Sequence, residues 1–135
     1  MSEVVIAGAM RTPMGAFQGN LRHMSAPELG AVPINSAIQL AGGPPIDEVM
    51  MGCVLSAGQG QAPARQAVLG VGLGNDIPAT TINKMCGSGM KAVMMAADQI
   101  TAGNSKVIVA GGMESMSNAP YLLPKLLQGA RFGHQ

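Results

Sequence analysis

The chain has 135 residues, enough for one domain with a real core and too few to expect two. Its formal net charge is +1 and it contains no lysine or arginine run, so it carries no electrostatic footprint for nucleic acid or for an acidic membrane surface. Only 11% of the residues are charged while 47% are hydrophobic, which predicts that much of the surface lies against something other than water.

Residues 4–9 are a short continuous apolar run that reads as a fully buried strand, ended by Arg11-Thr12-Pro13. The start shows neither the basic segment nor the cleavage site of a signal or transit peptide, so a cytoplasmic location is expected. No apolar run is long enough to span a bilayer. In a reducing compartment a disulfide between Cys53 and Cys86 is not expected. Residues 14–24 read as a polar loop containing glycines. Ser25-Ala26-Pro27-Glu28 then has capping-box spacing, predicting a helix over residues 26–41 with a kink at Pro33 and a stop at Gly42-Gly43. Residues 48–55 read as a second buried strand with Cys53 in its core, and residues 63–73 as a second helix. A third strand over 79–83, a third helix over 87–102 and a fourth strand over 106–110 complete the pattern. Strands alternating with helices at this spacing predict an α/β fold, a mostly parallel sheet of about four strands joined by crossover helices. Beyond Gly112 the regular pattern is lost.

Asn83-Lys84-Met85-Cys86-Gly87-Ser88-Gly89-Met90 ends a predicted strand, exposes a cysteine at a glycine-rich turn and opens an apolar helix. At a helix N-terminus the unpaired backbone N–H groups and the positive dipole end favour an anion, and the thiolate is the reactive form of cysteine. Gly87 and Gly89 leave room for a substrate carbonyl beside the sulfur. A free cysteine is equally often a small buried hydrophobe, and the local pattern leaves both readings open.

Together with Ala110-Gly111-Gly112-Met113-Glu114-Ser115-Met116-Ser117 and Arg11-Thr12-Pro13-Met14-Gly15-Ala16-Phe17, this stretch resembles the thiolase family, the acetyl-CoA acetyltransferases and 3-ketoacyl-CoA thiolases. The three motifs stand in the family's order, and the resemblance covers essentially the whole chain. It implies a thiolase amino-terminal half: an α/β domain over residues 1–117, then the start of a truncated loop domain over 118–135. It makes Cys86 the nucleophile that carries an acyl group as a thioester, with a coenzyme A thioester as substrate and no tightly bound cofactor. Asn83, Gly87, Ser88 and Gly89 then support the nucleophile turn; no coenzyme A contact is assigned, and no metal is expected.

The same resemblance implies a homo-oligomer whose third strand pairs across a two-fold axis. The family's second half, with its Gly-His-Pro histidine, its Asn-Glu or His-Glu motif and a second catalytic cysteine, has no counterpart here. His23 and His134 are the only imidazoles, and both read as solvated. Acyl transfer through Cys86, with the chain alone inactive, is therefore the preferred reading. A noncatalytic remnant that only self-associates is the alternative, and a small cysteine-dependent acyl hydrolase is disfavoured for want of a base.

Glu114, after Gly111-Gly112 at a strand end, reads as a buried structural hydrogen bond. Met50-Met51 and Met94-Met95 read as core filling. Gly58, Gly60 and Arg65 only weakly suggest a phosphate loop, since the GxxxxGK[ST] order is absent. The helix after Cys86 is apolar almost all round, which predicts a face left bare unless something covers it.

Overall fold

The computed structural model describes residues 3–124 together with 126 and 129. Its first regular element is α1 (Ala26–Leu40), started by the capping box written in the sequence. The Ser25 hydroxyl accepts from the Glu28 backbone N–H at 3.4 Å, and the Glu28 carboxylate accepts from the Ser25 backbone N–H at 2.7 Å. Those donors, the Ser25 backbone first and its hydroxyl second, hold the Glu28 carboxyl below its ordinary range. Pro33 lies inside α1, which continues as one element to Leu40.

β1 (Glu48–Gly52), β2 (Ala79–Ile82) and β3 (Ile108–Gly112) form one parallel sheet in the order β2-β1-β3. Met50 of the central strand stands opposite Thr80 on one side and Ala110 on the other. Because side chains alternate along a strand, β1 is apolar on both faces and serves two cores. Val49 and Met51 pack with Ile34 of α1 and with Ala64, Ala67 and Val68 of α2 (Pro63–Val71). Met50 packs with Ile82, Ala92 and Ala96 against α3 (Ser88–Thr101). The connection through α2 runs outward from β1 to β2, and the one through α3 runs back past β1 to β3. Crossovers of one hand in opposite directions must lie on opposite faces, and the two helices do.

The sequence pattern predicts four strands, and the sheet has three. Residues 4–9 form no strand; Val5 and Ile6 are 71% and 81% exposed. An apolar run becomes a strand only where its N–H and C=O groups find a ladder, and residues 4–9 pair with none of the three strands. The segment instead touches α1, where Gly8 approaches so closely that a Cβ there would lie 2.5 Å from the Ala37 carbonyl oxygen.

The other differences are at element ends, and each has a competing hydrogen bond. β1 stops at Gly52 because the Glu114 carboxylate takes the next two free amides, Val54 at 2.9 Å and Leu55 at 3.0 Å. Cys53 thus lies just beyond the strand, though still buried. β3 begins at Ile108 because the amides of Lys106 and Val107 donate to Asp47 at 2.7 and 2.9 Å. α2 ends at Val71, where Gly72 turns left-handed at φ +83. Of the Met94-Met95 pair only Met95 packs against the core, while Met94 is 54% exposed.

What seats α3 on the sheet is a contact that only glycine allows. A Cβ on Gly52 would lie 2.6 Å from the Gly89 backbone nitrogen and 2.6 Å from the Ser88 carbonyl carbon. Gly112 and Gly89 meet in the same way, a Cβ on Gly112 coming 3.2 Å from the Gly89 Cα. Since backbone cannot give way as a flexible side chain can, Gly52→Ala is expected to cost about 1–3 kcal/mol in urea denaturation. Gly111→Ala, whose Cβ would meet only Met51 at 3.7 Å, is the control and should leave the midpoint nearly unchanged.

Asp47 generates a second expectation. The Val107 amide and then the Lys106 amide hold its carboxyl below the ordinary range. A lowered folded-state value means the contribution is complete above the unfolded carboxylate range of about 4 and is lost as the pH falls through the folded value. The thermal midpoint of Asp47→Asn should lie below that of the unmutated chain at neutral pH, and the gap should close on acidification. A gap constant down to pH 2 would show that the charge is not involved.

Candidate active site around Cys86

The carboxyl ends of the three strands bring together the segments that follow them, residues 53–55, 83–87 and 113–117. The turn between β2 and α3 is pinned from two sides. Asn83 donates through Nδ2 to the Val54 carbonyl at 3.3 Å, and its Oδ1 accepts from the Met85 amide at 3.1 Å. Ser88, buried at 4% exposure, accepts through Oγ from the Lys84 amide at 2.8 Å and donates to the Met85 carbonyl. Between these pins Met85 adopts φ +48, a left-handed conformation that costs a non-glycine residue roughly 1–2 kcal/mol. The following residue, Cys86, is a free cysteine exposed to solvent two positions before α3 begins. Gly87 and Gly89 follow it without side chains.

The structure therefore brings Asn83, Cys86, Gly87, Ser88 and Gly89 into one turn. An exposed thiol at the entrance to a helix, with glycine following it, has the access that attack on an electrophilic carbonyl requires. Cys53 is the opposite case. It is 2% exposed, with its sulfur 3.7 Å from Oε1 of Gln59 and 3.7 Å from Oε1 of Glu114. Burial first and the Glu114 charge second push its thiol up to about 11.

The third motif does more than sequence reading assigned to it. Besides the Glu114 bonds to residues 54 and 55, Ser115 Oγ donates to the Met24 carbonyl at 2.7 Å. Asn118 Nδ2 donates to the carbonyls of Arg22 and Met24 at 2.9 and 2.8 Å. Ser117 Oγ accepts from the Gln18 amide at 2.8 Å, and Gln18 Nε2 donates to the Ser117 carbonyl at 3.1 Å. The third motif is thus clasped to the loop that follows the first, and Glu114 ties it to residues 54 and 55 beneath the second. The one sequence sign of this was a carboxylate placed just after Gly111-Gly112 at a strand end, where α/β folds gather functional groups.

His23 is exposed on the turn ahead of α1. His134, Lys125 and Arg131 lie outside the described residues. Among the described residues no three His, Cys, Asp or Glu side chains are grouped to hold a metal ion. The cleft bordered by Ser25, Glu28, Gln66 and Gly70 lies between α1 and α2 and includes no residue of the Cys86 turn.

The family described as Thiolase, N-terminal domain, matches residues 4–135. The mitochondrial acetyl-CoA acetyltransferase of Xenopus tropicalis is 55% identical over 127 residues, 93% of this chain and 30% of the relative. The acetyl-CoA acetyltransferase of Cupriavidus necator is 54% identical over 135 residues, 98% of this chain and 34% of the relative. Among solved structures, the Acat5 thiolase from Ascaris suum in complex with coenzyme A matches with a TM-score of 0.87 and 43% identity, covering 89% of this chain and 32% of that one. The chain spans about a third of the length of these proteins. By the family match, by sequence identity and by the parallel α/β architecture, this chain belongs to the thiolase family, within its N-terminal domain.

Proposed function

We propose that this chain supplies the nucleophile of acyl transfer between coenzyme A thioesters, with Cys86 as the acyl acceptor. The observation that carries the reading is the exposed Cys86 on a turn pinned by Asn83 and Ser88 at the entrance to α3. In the step proposed, the Cys86 sulfur attacks the thioester carbonyl, a new C–S bond forms, the bond to coenzyme A breaks, and coenzyme A leaves as its thiol after taking up the Cys86 proton. Relatives named acetyl-CoA acetyltransferase and a neighbour solved with coenzyme A support that substrate class. We also propose an α/β domain over residues 1–117, the start of a loop domain from residue 118, and a cytoplasmic location, although some relatives are named as mitochondrial.

Turnover needs more than a nucleophile. Proton abstraction from a second acetyl group requires a base, and among the described residues the one histidine, His23, is exposed on the turn ahead of α1. The chain alone is therefore expected to take up an acetyl group once and stop. Incubation with acetyl-CoA followed by peptide mass spectrometry should find acetyl on Cys86 and none on Cys53. Acetyl on Cys53 alone, or sustained acetoacetyl-CoA cleavage after removal of host enzyme, would overturn the respective halves of this proposal. Limited alkylation of the folded chain should likewise label Cys86 ahead of Cys53.

The second reading, a noncatalytic chain that self-associates, is favoured by one observation. Met90, Val93 and Met94 leave an apolar face of α3 in solvent, and β2 is an edge strand. We propose homo-oligomerisation on either reading. Light scattering coupled to size exclusion should report a dimer or larger; a monomer at high concentration that binds no hydrophobic dye would refute it.

A further inference from the structure

Glu114 stands two residues beyond β3, on a different strand end from Cys86, yet it is joined to the nucleophile turn by an unbroken path of hydrogen bonds. Its Oε2 accepts from the Val54 amide at 2.9 Å and its Oε1 from the Leu55 amide at 3.0 Å. Bonds from backbone N–H to a carboxylate are among the stronger ones a fold makes, so this piece of backbone is fixed. The Val54 carbonyl is in turn the acceptor for Asn83 Nδ2, and Asn83 Oδ1 is the acceptor for the Met85 amide, one residue before the nucleophile.

The turn has two kinds of pin, and they do different work. Ser88 bonds Lys84 and Met85, its own neighbours, so it sets the shape of the turn but not its place on the sheet. Asn83 reaches 29 residues back to Val54, and Glu114 reaches 60 residues back to the same residue. Of the two side-chain pins, this second one reaches the loop after β1 and, through Glu114, the end of β3, beside the backbone contact at Gly52 and Gly89. Met85 gives the route something to hold, since its φ of +48 is unfavourable and relaxes unless the surroundings over-determine it.

Resting on the reading of Cys86 as acyl acceptor, we propose that Glu114 is a positioning residue for Cys86, acting through the backbone of residues 54 and 55 and through Asn83. Loss of the Glu114 charge loosens residues 54 and 55, releases Asn83, and lets the Cys86 turn drift from its place at the entrance to α3.

The test uses the full chain labelled with ¹⁵N, reading amide hydrogen exchange residue by residue and the rate of Cys86 alkylation by iodoacetamide. Glu114→Gln keeps the size of the side chain and one acceptor oxygen. It should speed exchange at Val54, Leu55 and Met85 by about fivefold, the share of one net hydrogen bond, and slow Cys86 alkylation, while the amides of Val49 and Met51 keep their rates. Asn83→Ala breaks the path further along, so Met85 should speed and Cys86 alkylation should slow with Leu55 unchanged. The proposal is overturned if Glu114→Gln speeds residues 54 and 55 but leaves Met85 and Cys86 as they were, or if exchange rises evenly across the sheet, which would mark a general structural role. Should Glu114→Gln not fold, Asn83→Ala decides alone: an unchanged Cys86 rate overturns the path. Failure of the acyl-acceptor reading shows separately, as absence of acetyl on Cys86 in the unmutated chain.

Discussion

Everything distinctive in this structure depends on how closely α3 can approach the end of β1. The distance is set by backbone meeting backbone at Gly52, with Gly89 and Gly112 completing the contact from the helix and from β3. A single methyl group at Gly52 would collide with the first turn of α3, and the helix would have to lift from the strand ends. Lifting it would separate Ser88 from the buried position in which it closes the turn, and would draw Asn83 away from Val54. Packing of Met50 and Ile82 under Ala92 and Ala96 supplies the apolar attraction along the rest of the helix. The glycines decide where along the sheet that attraction brings the helix to rest.

A second constraint follows from satisfying backbone groups at the ends of parallel strands. A parallel ladder leaves amides unpaired where it stops, and those amides take acceptors from elsewhere in the chain. Here two carboxylates serve the two ends of the sheet: Asp47 takes Lys106 and Val107 at the amino end, and Glu114 takes Val54 and Leu55 at the carboxyl end. At the amino end the arrangement only terminates β3. At the carboxyl end it builds the support beneath the Cys86 turn, so the same physical need has been met in a way that also serves the site.

This explains which parts of the structure were legible in the sequence. The helices and β1 to β3 follow from apolar periodicity, a capping box and glycine stops, all of which are local patterns. Residues 4–9 carry the same apolar signal as β1, yet form no strand, because strand pairing depends on a neighbour that no local pattern encodes. The ends of β1 and β3 were misread for a related reason. Glu114 and Asp47 bond residues about 60 positions away, and propensity along the chain contains no trace of such partners. In the site, the Asn83 to Gly89 turn was readable because its glycines, its cysteine and its serine are contiguous. The clasp of Gln18 by Ser117 was not, since it joins loops 99 residues apart.

The two cysteines show how far environment, and not residue type, assigns chemistry. Both follow a strand of the same sheet at the same end, Cys53 directly after β1 and Cys86 four residues after β2. Cys53 follows β1 inward, between two core-facing strands' worth of apolar side chains, and faces a carboxylate that disfavours a second negative charge. Cys86 is carried outward by the left-handed backbone of Met85 and left in solvent at the entrance to α3. Glu114 takes part in both outcomes. Its charge adds to the burial that pushes the thiol of Cys53 up, and its grip on Val54 anchors the Asn83 bond beneath the Cys86 turn. One carboxylate can thus quiet the thiol beside it while bracing the turn that presents the other, because the first effect acts through charge at short range and the second through fixed backbone.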